Sequence, residues 1–225
     1  MRRYGSAEAA ITAIPTLAKR GDSKISLASI TSVKDELESI DAAGAVLFWR
    51  DSEYYPEHLA QFDDAHACIT AHGNLHILAQ PMIAIVGARN ASINAQLHAH
   101  NITSDLSKNG YVIVSGMARG IDATAHRGAL DTSTIGVIVS IIDIVYPLEN
   151  ADLFEEVASR GLLLAEMPPV TKPTPKHFPI HNQVIASLAV GVEVAEAANQ
   201  SGSLITAKEE ATSRQRCDSG TGIAA

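Results

Sequence analysis

Met82-Ile-Ala-Ile-Val86 and Val112-Ile-Val114 carry no charged side chain, run out at a glycine turn, and each lead into a stretch of helical composition. A parallel strand buried on both faces reads this way, because none of its positions meets water. The same alternation recurs along most of the chain. Strands are expected at 45–49, 82–86, 111–114, 134–142, 162–165 and 190–195, and helices at 57–62, 92–108, 121–130, 150–160, 182–188 and 202–214. Asn109-Gly110 stops one helix, Tyr146-Pro147 makes a turn, and a proline-rich connector covers 168–179. Strands alternating with helices through short loops predict an α/β fold: an extended, Rossmann-like, mostly parallel sheet with helices on both faces. Ligands then bind at the carboxyl ends of the strands.

The front end has a different period. Ala9, Ala10, Ile14 and Leu17 share a helical face over 6–20, with Pro15 as a kink or break. Ser32 followed by Asp35 and Glu36 reads as the capped start of a helix over 32–43. The expected organisation is a small helical N-terminal segment over 1–44, the α/β core over 45–216, and an irregular tail over 217–225.

Composition narrows the class. With 225 residues, 46% of them hydrophobic, the chain can bury a substantial core. No apolar run approaches a membrane span and the start lacks the apolar core of a signal peptide, so a cytoplasmic protein with no membrane partner is expected. Cys68 and Cys217 show no metal or redox spacing, and no metal or cofactor is expected. The net charge of -8 argues against a basic nucleic-acid module by bulk charge. A nucleic acid would need a local positive groove, which screening over about 8 to 10 Å permits on an acidic body.

Candidate chemistry gathers at the glycine turns. Arg89 stands two residues after Gly87, and its guanidinium suits a phosphate held by amides at a helix N-terminus. Ser115-Gly-Met-Ala-Arg119-Gly-Ile-Asp122 offers a hydroxyl and bare backbone at a strand end, and Ser201-Gly202-Ser203-Leu-Ile-Thr206 offers three hydroxyls before a helix. Such clusters fit anion cradles, although each glycine alone is equally a device for a tight turn. Neither a dinucleotide fingerprint nor a Walker loop is present. Asp122 and His126 share a helix face as a catalytic pair or a structural one. The stretch 172–182 brings together Lys176, Phe178 and Asn182, with a cation for phosphate and an aromatic face for a base; a surface loop with Phe178 packed inward fits equally.

Taken in order, Gly87-Ala-Arg89, the 115–122 motif, His126-Arg-Gly-Ala-Leu130, Asp143-Ile-Val-Tyr-Pro-Leu-Glu-Asn150, Glu166-Met-Pro168, Phe178-Pro179, Asn182 and Ser201-Gly-Ser-Leu-Ile-Thr-Ala207 resemble the DprA/Smf family of DNA-processing proteins. The helical front resembles part of that family's small SAM/HhH-like domain. The resemblance implies a cytoplasmic, homodimeric, non-enzymatic protein that binds incoming single-stranded DNA in natural transformation, protects it and loads the RecA recombinase. It implies phosphate or DNA contacts from Gly87, Arg89, Ser115, Gly116, Arg119, Lys176, Phe178, Asn182, Ser201, Gly202, Ser203 and Thr206, with no catalytic residue.

Several positions depart from the family pattern. His181-Asn182-Gln183 stands where an Arg-Asn-Arg element is usual, Val139 and Ile141 replace a glycine pair, and Ala165 replaces a serine. The ending Cys217-Asp-Ser-Gly-Thr-Gly-Ile-Ala-Ala225 has no strand or helix pattern, as expected of a C-terminal truncation or a shifted reading frame. Two other readings therefore remain beside the DNA-binding one. One is a nucleotide-processing Rossmann-like enzyme using Asp122, His126 and Glu166 as acid/base groups; the other is a degraded scaffold that folds but binds nothing well.

Overall fold

In the computed structural model, the described residues are 4–20, 27–50, 52–60, 67–138, 142, 147–165 and 177–196. The chain divides into two compact units, Met1–Glu38 and Ser39–Ala225. In the first, α1 (Ala7–Arg20) runs past Pro15, and Ser6 Oγ accepts the Ala9 N–H at its start. Pro15 costs the helix one hydrogen bond without ending it. The next helix, α2 (Ile30–Ala42), begins two residues before the expected start, because Ser29 rather than Ser32 supplies the cap, accepting the Ser32 N–H at 3.0 Å.

The described residues of the larger unit form one seven-stranded sheet in the order β1 (Val46–Trp49), β2 (Cys68–Gly73), β6 (Leu162–Ala165), β5 (Thr134–Ile138), β4 (Val112–Gly116), β3 (Met82–Val86), β7 (Gly191–Val194). The five strands from β6 to β7 are mutually parallel, while β1 and β2 form an antiparallel margin on β6. The helices are α3 (Glu57–Ala60), α4 (Ile93–Lys108), α5 (Ile121–Ala129), α6 (Ala151–Arg160) and α7 (His177–Leu188). No helix among the described residues is long and apolar enough to cross a membrane.

The apolar runs segregate by the two-residue period of a strand. Met82, Ala84 and Val86 of β3, with Val112 and Val114 of β4, meet Val184, Ile185 and Leu188 of α7 in one core. Ile85 and Ile113, one residue out of step, meet Ala99 of α4 and Ile121, Ala125 and Ala129 of α5 on the opposite face. A third cluster sets Leu153, Phe154 and Val157 of α6 against Leu163 and Ala165 of β6. This double coverage leaves the central strands apolar except for the buried hydroxyls of Ser115 in β4 and Thr134 in β5.

Three boundaries differ from expectation. β4 continues to Gly116, so the strand delivers its glycine directly to the edge. Described β5 ends at Ile138, and Ile142, expected in the same strand, is a buried turn residue. Helix α7 starts at His177 instead of 182, taking in Pro179. Proline is tolerated there because it occupies the first turn, where the missing N–H has no intrahelical acceptor. The expected helix at 202–214 and the tail lie outside the described residues.

Candidate nucleic-acid interface

Strands β3 and β4 are parallel neighbours, with Ala84 opposite Val114, so their carboxyl ends deliver two glycine turns side by side. The turns are interlocked. Ile121 N–H donates to the Ala88 carbonyl at 3.2 Å, and Gly120 caps α5 at φ 83°, a conformation that favours glycine. A Cβ on Gly120 would collide with the Ala88 carbonyl and come within 2.6 Å of that of Arg89. The α5 entry is thus packed on the backbone that carries Arg89, whose side chain is exposed on the lip of the edge.

The floor is Gly116. A Cβ there would stand 2.7 Å from Asp122 Oδ2 and 3.0 Å from His181 Nε2, so only bare backbone lets these two groups converge. Ser115 is fully buried, and its hydroxyl donates to the Ile85 carbonyl at 2.6 Å, tying β4 to β3. Asn150, also buried, donates from Nδ2 to the Met117 carbonyl at 2.9 Å and fixes the backbone that follows.

Sequence reasoning named Asp122 as an acid/base candidate and a possible partner of His126, but not as the occupant of this edge. Its carboxyl hydrogen-bonds with the Ala118 N–H, the Ser115 hydroxyl and the Gly87 N–H, and it lies in the field of Arg89. Amides read from sequence as a phosphate cradle are therefore partly engaged by the chain's own acid. Burial dominates these stabilising contacts and pushes the Asp122 carboxyl up to about 7. Its position in the first turn of α5, where helices favour acids, was the available signal. The α4 N-terminus is occupied similarly: Glu196 accepts from the Ser92 hydroxyl at 2.7 Å and from its N–H at 3.1 Å.

His126 does not pair with Asp122. Its Nε2 lies 2.9 Å from the Gly116 carbonyl and its Nδ1 2.8 Å from the Thr134 hydroxyl, all within the core. A carbonyl only accepts, so Nε2 carries the proton. Burial, chiefly, lowers the ring to about 4 and favours its neutral form, so the single Thr134 hydroxyl proton is shared between Nδ1 and the Ile113 carbonyl, 2.9 Å away. His181 is also lowered to about 4, by burial and then by Arg89, and its Nδ1 has no hydrogen-bond partner among the described residues.

The remaining sites divide by position. Gly87, Arg89, Ser115 and Gly116 come together at the edge, while Arg119 is exposed in the same turn and pairs at 4.0 Å with Glu149. Exposure on both sides makes that pair energetically minor. Asn182 is half-buried on α7, beside His181, and Phe178 contributes backbone to the first turn of that helix. Lys176, Ser201, Gly202, Ser203 and Thr206, together with Glu166, Val139 and Ile141, lie outside the described residues. Among the described residues no cluster of three acidic, histidine or cysteine side chains could hold a metal.

Comparison with known proteins points in one direction. Residues 46–217 match the family described as DNA recombination-mediator protein A, and residues 1–39 match the DprA-like N-terminal HHH domain. The DNA processing protein DprA of Bacillus subtilis is 39% identical over 159 residues, covering 69% of this chain and 54% of that protein. The chain thus spans about half the length of this curated relative. The X-ray structure of DNA processing protein A from Streptococcus pneumoniae aligns with a TM-score of 0.72 at 31% identity, over 91% of this chain and 78% of that one. DNA processing protein A from Helicobacter pylori, whose structure was described for its single-stranded DNA binding mode, aligns with a TM-score of 0.71 at 28% identity, over 76% of this chain and 77% of that one.

Proposed function

The chain belongs to the DNA recombination-mediator protein A family, and from that premise we propose that it binds single-stranded DNA at the edge formed by the β3 and β4 turns. Arg89 carries the reading: an exposed guanidinium on a lip whose backbone is fixed by the packing of Gly120. A guanidinium there grips one backbone phosphate without reading base identity. The lip makes binding possible on a chain of net charge -8, because acidic groups more than a Debye length from the bound phosphate are largely screened. The single-stranded DNA binding mode described for the Helicobacter pylori relative supports the same ligand class.

The action is protective and mediating rather than catalytic. His126 has both ring nitrogens committed inside the core, which removes it as an acid or base for a bound substrate. A mediator hands DNA to a recombinase, and RecA is the partner implied by the resemblance. The remaining proposed contacts are Lys176, Phe178, Asn182 and the 201–206 hydroxyls, in a homodimeric cytoplasmic protein.

The test is fluorescence anisotropy of a labelled oligo-dT. Arg89→Ala is expected to weaken binding about tenfold, the loss of one charge-assisted phosphate contact, with its thermal unfolding unchanged. Equal affinity in the variant, or turnover of a nucleoside phosphate by the folded protein, would overturn this assignment.

A further inference from the structure

The inference rests on the reading that the edge beside Arg89 receives a phosphate of single-stranded DNA. At that edge a carboxyl and an imidazole from different elements converge over the bare backbone of Gly116. The His181 ring is about nine-tenths buried, and its Nδ1, a polar atom that normally demands a partner, has none among the described residues. Beside it the Asp122 carboxyl engages the Gly87 and Ala118 amides and faces Arg89. An incoming phosphate and this carboxylate would compete for the same amides and the same guanidinium.

Proton bookkeeping favours the neutral acid when DNA is present. Ser115 has one hydroxyl proton and two acceptors in reach, the Ile85 carbonyl at 2.6 Å and the Asp122 carboxyl. With Asp122 protonated, its O–H can donate to Ser115 Oγ, and Ser115 gives its own proton to Ile85 without conflict. With Asp122 ionised, one of the two acceptors goes short, and Arg89 is partly neutralised.

We propose that Asp122 is a positioning residue of the phosphate site, an internal competitor whose protonation releases Arg89 to the DNA backbone, so that single-stranded DNA binds with uptake of a proton. Among the described residues, the titratable and charged groups facing it are Arg89, from the turn after β3, and His181, from α7. On its own segment His126 is bonded to Gly116 and Thr134, and Arg119 to Glu149. The other helices packed on α5 expose their charges: His98, His100, Asp105 and Lys108 on α4, and Asp152, Glu155, Glu156 and Arg160 on α6. Strands β3, β4 and β5 bring none.

The direction follows from the raised carboxyl. It is mainly neutral below about 7 and mainly ionised above, so oligonucleotide affinity rises as pH falls through that value. One linked proton moves affinity by up to about tenfold per pH unit. Every other group of the chain is shared by Asp122→Asn, so the comparison isolates the carboxyl.

The experiment is anisotropy with labelled oligo-dT at pH 6 and pH 8 on wild type and Asp122→Asn, whose amide stands for the neutral acid. The expected result is about a tenfold larger gain on acidification for the wild type, with the variant binding at pH 8 more tightly than the wild type. A second readout needs no variant: calorimetry at pH 7.5 in two buffers of different ionisation enthalpy should show proton uptake by the wild type on binding. Binding with no proton uptake, or an equal pH response in a folded Asp122→Asn, would overturn the inference and leave the DNA-binding reading standing. Absence of binding by folded protein at both pH values would overturn that reading, and the inference with it.

Discussion

Gly120→Ala is expected to destabilise the protein by about 4 kcal/mol, the sum of a strained backbone and a collision. At φ 83° the residue lies where an L side chain is unfavourable. The new methyl would also be driven into the Ala88 and Arg89 carbonyls, which are backbone and cannot rotate away. Gly110 separates the two costs. It too has positive φ, 87°, yet a Cβ there meets nothing within 4 Å, so Gly110→Ala should lose only about 1 kcal/mol. Urea unfolding of both variants measures the difference. The larger loss arises where the α5 entry rests on the Arg89 turn, so Gly120→Ala should also impair any ligand held by Arg89. Equal midpoints for the two variants would mean that this close approach is absent.

His126→Ala is expected to cost a similar amount, about 4 kcal/mol, by leaving a cavity and an unpaired Gly116 carbonyl in a site without water access. The same histidine makes stability depend on pH. Its ring titrates near 6.5 when unfolded and near 4 when folded. Between those values the unfolded chain takes up a proton that the folded chain refuses, so stability is complete above about 6.5 and declines toward pH 4. His181 acts in the same direction and over the same window. Asp122 opposes them: its folded carboxyl is raised from 3.8 to about 7, so its contribution is present at low pH and lost as pH rises through that range. His126→Gln retains a donor for the Gly116 carbonyl and a polar group beside the Thr134 hydroxyl without titrating. Its unfolding free energy should fall less between pH 7 and pH 5 than that of the wild type. A decline as steep as the wild type's would show that His126 is not the group that charges.

The central sheet was legible because burial on both faces suppresses alternation. Met82–Val86 and Leu162–Ala165 appear where uninterrupted apolar runs end at glycine or at a strand edge. β2 was not assigned from sequence. Cys68–Gly73 mixes Thr70 and His72 with small residues, and its identity as a strand comes from antiparallel pairing with β1 and β6, partners distant in sequence. The start of α7 was obscured by Pro179, which breaks helices in general but is harmless in the first turn.

The candidate site shows a similar division. Arg89, Ser115 and Gly116 stand out because glycine turns after apolar strands are a local pattern. That Asp122 reaches the Gly87 amide, contributed by a different strand's turn, depends on the β3–β4 register and on Gly116 lacking a side chain. No local spacing records it. His181 stood out only as a missing arginine; its burial beside Asp122 over Gly116 is a tertiary fact.

The most direct test of the central claim is anisotropy of labelled oligo-dT titrated with the wild-type chain at two salt concentrations, after its folding has been verified. The account predicts binding to single strands that weakens as salt rises, since each neutralised phosphate adds roughly 0.7 to the logarithmic slope. Salt-insensitive binding, or no binding by the folded protein, would contradict it.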